Sequence, residues 1–296
     1  MGTAKRDRQR EGRLARRIAE AEADKRQQRR RTIRNFVIVG ILGIVGVVVL
    51  SRFVSGDENK ANVATSDSSS ASASDGPSST STPTTQAAFA YGTTPCPAVD
   101  GSSPRTLNFD APFENCLDPT KRYAATFDTS AGQFTVTLDT DTTPGTANNF
   151  IALSRYHYYD GTQLFRTDTS IGIIQGGSPT SQSANDPGPG YSLPDEGFDY
   201  ASLPNGQGGP YKYELGDIVM ARSTAPNGAG AQFFLGGSDT IATLGSTGTY
   251  VRFGTTLDGV DVLQRILASN VDDPSSGLGG HPNPPVTVNS IRIAEA

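Results

Sequence analysis

Two cysteines and two histidines are the only thiols and imidazoles in this 296-residue chain. A structural zinc site needs four such ligands gathered together, and with only His157 and His281 beside the cysteines none is expected. No Cys-x-x-Cys pair is present, so a dithiol redox motif is absent. The glycine-rich stretches "LGSTGT" and "GLGG" lack the lysine of a phosphate-binding loop. There is no Gly-x-Ser-x-Gly elbow, and no carboxylate or histidine pair has hydrolase or glycosidase spacing.

Long apolar runs are scarce too. The one that exists, "NFVIVGILGIVGVVVLS" at 35–51, lies between Arg34 and Arg52. As a helix it would measure roughly 26 Å, against about 30 Å for a bilayer core. Both arginines can snorkel, and Phe53–Val54 extend the apolar length. A membrane anchor over 35–54 is expected. The run follows residues 1–34, which hold thirteen Lys/Arg and five Asp/Glu in a chain whose net charge is −5. That basic segment reads as a cytoplasmic tail rather than a nucleic-acid binder. It predicts a single-pass protein of the cell membrane, with the larger part outside. No small-x-small pair directly follows the run, which favours an uncleaved anchor over a signal peptide.

Residues 55–90 are dominated by Ser, Thr, Ala and Pro and read as a disordered linker. An extension over 91–122 carries Cys96 and Cys116, for which an exported setting predicts a disulfide. Such a closure contributes ~3 kcal/mol in the chain-entropy account.

The folded domain is expected over 123–296. In "YAATFDTSAGQFTVTLDT" the alternation of Phe134, Val136 and Leu138 predicts two strands joined near Ala131–Gly132. "TTPGTANNFIALSRY" predicts a helix with Thr143 as cap, Pro144 in the first turn, and a stripe of Ala147, Phe150, Ile151 and Ser154. "YYDGTQLFR", "GDIVMARS", "AQFFLGG", "YVRFGTTL" and "PPVTVNSIRI" read as strands, and "GVDVLQRILAS" as a second helix. Many strands with two helices suit a closed β barrel capped by helices. A doubly wound sheet needs helices recurring between strands, which they do not do here.

The ordered series "TPGTANNFIALSRYHYYDGTQLFR", "IIQGGSP", "GPGYSLPDE", "GDIVMARSTAPNGAGAQFFLG" and "YVRFGTTLDGVDVL" resembles the cyclophilin-type peptidyl-prolyl isomerases from about residue 123 to 293. The resemblance implies an eight-stranded closed barrel with a helix at each end and a substrate groove on the outer wall. With the segments upstream, it points to a membrane-anchored, exported bacterial form. It also implies isomerisation of X–Pro bonds without a cofactor or metal. The barrier to that rotation is roughly 20 kcal/mol, because amide resonance must be broken. Twisting localises a lone pair on the prolyl nitrogen, and a cation aimed there stabilises the twisted state above the planar one.

Arg166 is the candidate cation, and it keeps its charge at any working pH. Counting back from "QGG" puts Thr167 at that place instead; one inserted residue in "TDTSIG" reconciles the two counts. Gln175 resembles the groove glutamine that holds substrate backbone or orients the arginine, and Phe234 the floor of the proline pocket. Ile173, Met220, Ala221, Gln232 and Tyr250 resemble further groove residues. Leu244 lies where some members carry a tryptophan, which this chain lacks. Arg222 replaces a common asparagine and would add a charge beside the groove, while Gly172 leaves apolar surface missing. Asp195 and Glu196 read as loop-ordering acceptors. Phe233, next to Phe234, should point into the core. The partners implied are proline-containing segments of exported proteins, and the bilayer through 35–54. A proline-peptide binding module or chaperone with little turnover is the alternative reading.

Overall fold

The structure is a computed structural model that describes residues 89–296. Among the described residues no helix is long and apolar enough to cross a membrane. The expected anchor over 35–54 lies outside them, as do the basic segment and nearly all of the expected linker. The membrane-anchored assignment is therefore withdrawn, together with the bilayer as a partner, the single-pass topology and the export of the substrates that rested on it.

The first two strands, β1 (Tyr123–Thr129) and β2 (Gly132–Leu138), alternate as the sequence predicts, with Phe127 paired to Phe134. Their rings stack at 4.5 Å in the core. The helix α1 (Pro144–Arg155) follows, then the short strands β3 (Thr162–Gln163), β4 (Arg166–Asp168) and β5 (Ile173–Gly176). After a long loop come β6 (Asp217–Arg222), β7 (Ala229–Gly236), a 3₁₀ turn over Asp239–Ser246, and β8 (Arg252–Asp258). The second helix α2 (Val260–Ala268) precedes a small hairpin, β9 (Asn270–Asp272) and β10 (Gly280–Pro282), and the chain returns in β11 (Thr287–Glu295).

These strands form one antiparallel sheet in the order β3-β11-β1-β2-β8-β6-β7-β5-β4-β10-β9. This corrects the expectation of a closed eight-stranded barrel. The sheet has eleven strands and is an open, strongly curled half-barrel whose outermost strands, β3 and β9, do not pair. One cause is local. The chain leaves regular pairing at Leu164–Phe165, which splits one expected strand into β3 and β4. The other is the β9–β10 hairpin, which pairs with β4 and extends the sheet past the point where eight strands would have met.

α1 is not a one-sided helix. Every residue from Gly145 to Arg155 is buried, because the extension before β1 covers the side the sheet leaves open. Phe109 and Phe113 from that extension join the same apolar core as Phe127, Phe150 and Phe233. Asn148 donates to the Glu114 carbonyl (3.0 Å) and accepts from the Cys116 amide (2.8 Å). Cys96 and Cys116 are joined by a disulfide with a Cα–Cα distance of 5.5 Å. Thr143 does not cap α1 with its side chain; its hydroxyl donates to the Asp139 carbonyl. Glu196, from the loop after β5, accepts from the Gly145 and Thr146 amides at 2.8 Å each. It serves the first-turn N–H groups that helix geometry leaves unpaired. Burial pushes the Glu196 carboxyl above the usual carboxylate range, against the pull of those two amides.

Candidate active site

Antiparallel pairing puts residues that face each other on neighbouring strands on the same side of the sheet. In register, Arg166 of β4 faces Gln175 of β5, Gln175 faces Phe234 of β7, and Phe234 faces Val219 of β6. The four stand in one row on the outer face. Thr167 belongs to the adjacent row, opposite Ile174, and is fully buried, with its hydroxyl donating to Asn270 Oδ1 at 2.6 Å. Residues 169–172, within the stretch where the two motif counts differ, lie outside the paired strands.

Polar side chains along this row satisfy one another in sequence. Arg166 Nη1 donates to Gln175 Oε1 at 2.9 Å. Gln175 Nε2 donates to Gln232 Oε1 at 2.9 Å, and Gln232 Nε2 donates to the Ala184 carbonyl at 3.1 Å. Such a chain fixes the orientation of both amides and of the guanidinium. Gly177 (φ +90°) lets the strand turn away immediately afterwards; a Cβ there would lie 2.7 Å from the Ala231 carbonyl oxygen. A cleft of about 390 Å³ runs beside this chain, lined among others by Arg166, Gln175, Gln232, Ala221 and Ser192.

Beside the row lies a small apolar cluster distinct from the main core. It consists of Ile173, Tyr213, Val219, Phe234 and Ile241, with Ile171, Ala221, Leu244 and Tyr250 packed half-buried at its rim. Phe234 and Tyr250 meet edge to face at 5.4 Å. The Tyr213 hydroxyl donates to the Tyr250 carbonyl (2.9 Å) and accepts from the Tyr250 amide (3.0 Å). Burial raises the Tyr213 phenol pKa, so its proton stays in place for the first of these bonds.

Of the residues expected in the groove, Arg166, Gln175, Gln232, Ile173, Ala221, Leu244, Tyr250 and Phe234 lie in this row, cleft or cluster. Met220 does not. It faces Phe233 across β6–β7 and belongs to the main core, because side chains alternate and Val219 takes the outer place. Phe233 is fully buried in that core. Arg222 lines the cleft but adds no free charge. Its side chain is 3% exposed, Nη2 lies 3.2 Å from Asp195 Oδ1, and the guanidinium sits 3.8 Å from the Tyr200 ring centroid. Ile171 was not foreseen. It supplies rim surface that Gly172 cannot, and only its closeness to Ile173 in the sequence hinted at it.

Chemically, the arrangement offers a fixed cation, amide groups able to pair with a peptide backbone, and an apolar floor, all on one wall. Among the described residues no cluster of three or more His, Cys, Asp or Glu is placed to hold a metal ion.

Comparison with known proteins agrees with that chemistry. The family described as "Cyclophilin type peptidyl-prolyl cis-trans isomerase/CLD" matches residues 124–293. A probable peptidyl-prolyl cis-trans isomerase B of Mycobacterium leprae is 31% identical over 175 residues, covering 57% of this chain and 56% of that protein. An Arabidopsis thaliana peptidyl-prolyl cis-trans isomerase is 32% identical over 149 residues, covering 50% of this chain and 82% of the relative. A peptidyl-prolyl cis-trans isomerase-like protein of Aspergillus niger is 30% identical over 156 residues, covering 51% and 88%. The match thus spans little more than half the length of the mycobacterial relative. Because plant and fungal proteins match as well, the narrower identification as an exported bacterial form is dropped. With the match extending over more than half of its length, the chain belongs to the cyclophilin-type peptidyl-prolyl cis-trans isomerase family.

Proposed function

We propose that the chain catalyses cis-trans isomerisation of X–Pro bonds in proline-containing peptide segments, by electrostatic stabilisation of the twisted amide. The observation that carries this reading is the outer-face row in which Arg166, Gln175 and Phe234 are cross-strand neighbours. A proline ring held against the Phe234 cluster lies beside a guanidinium that the Gln175–Gln232 chain already orients. As the C–N bond rotates, the prolyl nitrogen gains electron density, and Arg166 stabilises that state more than the planar one. No proton is transferred and no covalent intermediate forms, so Asp195 and Glu196 keep structural roles. Gln175, Gln232 and the half-buried rim residues Ile171, Ala221, Leu244 and Tyr250 are the substrate contacts in this reading.

A protease-coupled assay on a proline peptide tests it with Arg166→Ala. The expected result is near-complete loss of turnover with peptide binding retained. Equal rates for parent and variant would remove Arg166 from the chemistry. Binding without turnover in the parent would favour a proline-peptide binding module.

A further inference from the structure

Arg166 is gripped on more sides than substrate binding demands. Its Nη1 donates to Gln175 Oε1, its Nη2 lies 3.1 Å from Asp168 Oδ2, and its Nε donates to the carbonyl of Leu278. The three acceptors come from three separate places: strand β5, the end of β4, and the tip of the β9–β10 hairpin. Acceptors on all three nitrogens of a planar fork fix both the position of the guanidinium and the tilt of its plane.

Asp168 is more than a nearby counter-ion. Its side chain is 14% exposed, and its other oxygen accepts from the Ser170 amide at 3.0 Å and the Ser170 hydroxyl at 2.6 Å. The carboxylate is thus held before it holds the arginine. The hairpin is similarly locked to β4 through the Gly280–Thr167 pairing and the Thr167–Asn270 hydrogen bond. Gly279 (φ +101°) permits the approach, since a Cβ there would stand 2.8 Å from the Thr167 carbonyl oxygen and 2.9 Å from Asp168 Cβ.

We propose that Asp168, together with the Leu278 carbonyl of the hairpin tip, is a positioning residue for isomerisation: it fixes the Arg166 guanidinium in the pose that meets the prolyl nitrogen. This rests on the reading of Arg166 as the reacting cation. Two effects of Asp168 oppose each other. Its charge lowers the positive potential that Arg166 presents, which slows the reaction. Its grip removes the freedom that the side chain would otherwise lose in the transition state, which speeds it. Misplacement by about 1 Å costs on the order of 100-fold in rate, and on that scale the grip prevails.

The test uses the full chain and a proline peptide, with kcat and KM measured separately. Asp168→Ala removes grip and charge together, and should lower kcat about tenfold with KM within about twofold. Asp168→Asn keeps an oxygen that accepts from Nη2 and loses the opposing charge, so kcat should return to near the parent's. Gly279→Ala sets a Cβ 2.9 Å from Asp168 Cβ, displacing the hairpin connector and Asp168 together, and should lower kcat in the same sense. The Arg166 Nε–H NMR resonance should move in all three variants, a readout that lost stability alone would not shift. A kcat for Asp168→Ala within twofold of the parent, or above it, overturns the proposal, provided Arg166→Ala is inactive. If Asp168→Ala does not fold, an unchanged or raised kcat in Gly279→Ala overturns it. Full activity of Arg166→Ala defeats the underlying reading instead, so the two failures are distinguishable.

Discussion

On the inner face of the wall made by β4, β5, β7 and β6, Thr167, Ile174, Leu235 and Ile218 stand in one row; on the outer face the adjacent row is Arg166, Gln175, Phe234 and Val219. The inner row is wholly buried. The polar member of that row, Thr167, is satisfied by Asn270. The outer row has an apolar half, closed by its own small cluster, and a polar half that runs as a hydrogen-bonded chain to a cleft. One strand register therefore builds a core and a working surface together. The inner face contributes stability by excluding water; the outer face keeps polar groups oriented at its edge, where the proposed isomerisation would take place.

The largest expected difference between the faces comes from their charged member. Arg166→Ala should lower kcat/KM by about 10²–10³-fold, on the scale of removing one transition-state donor. Its thermal midpoint should also fall in scanning calorimetry, because the largely buried Asp168 and Gln175 lose their partner. The neighbours Phe233 and Phe234 separate the faces most directly. Phe233→Ala should cost about 3–5 kcal/mol in denaturant unfolding, while the protein that remains folded keeps its turnover. Phe234→Ala should cost roughly 1–3 kcal/mol and raise KM for proline peptides several-fold. If Phe234→Ala changed only stability, the two faces would not differ in function as described. Reduction of the Cys96–Cys116 bridge, whose partners are 20 residues apart, should lower stability by ~3 kcal/mol in the chain-entropy account, seen as a reduced denaturant midpoint.

A smaller effect lies far from both faces, at Glu295. Hydrogen bonds from Lys121 and Arg155 hold its carboxyl below the usual carboxylate range. A depressed folded pKa means the native state binds fewer protons than the unfolded chain. The associated stability is present above the ordinary carboxylate pKa and is lost as pH falls through the depressed value. Glu295→Gln should therefore flatten the acid limb of a stability–pH curve and leave the neutral limb's slope unchanged.

Much of this was legible in the sequence, for reasons that differ by region. The strands over Tyr123–Thr129 and Gly132–Leu138 follow from period-two burial, and α2 follows from Val262, Leu263, Ile266 and Leu267 on one side. The burial of α1 all round was hidden, because it depends on an extension whose Phe109 and Phe113 carry no periodic signal. The β9–β10 hairpin was hidden as well. Its strands are three residues each and its Gly/Ser/Pro-rich connector reads as loop. Without that hairpin the open eleven-stranded sheet could not be foreseen, nor could the grip on Arg166. Motif order singled out Arg166, Gln175, Gln232 and Phe234, which the structure sets side by side. Motif order could not assign Met220 and Val219 to their faces, since either is apolar enough for both sides.

The cross-strand row also gives the wall a parity. Adding or removing one residue within Ile173–Gly176 would exchange odd positions for even ones, setting Ile174 or Gly176 where Gln175 now stands and turning an amide toward the packed interior. A change of two residues would preserve the alternation. The 169–172 connector escapes this constraint because it is unpaired, so length variation between arginine and glutamine can accumulate there while strand β5 changes only in even steps.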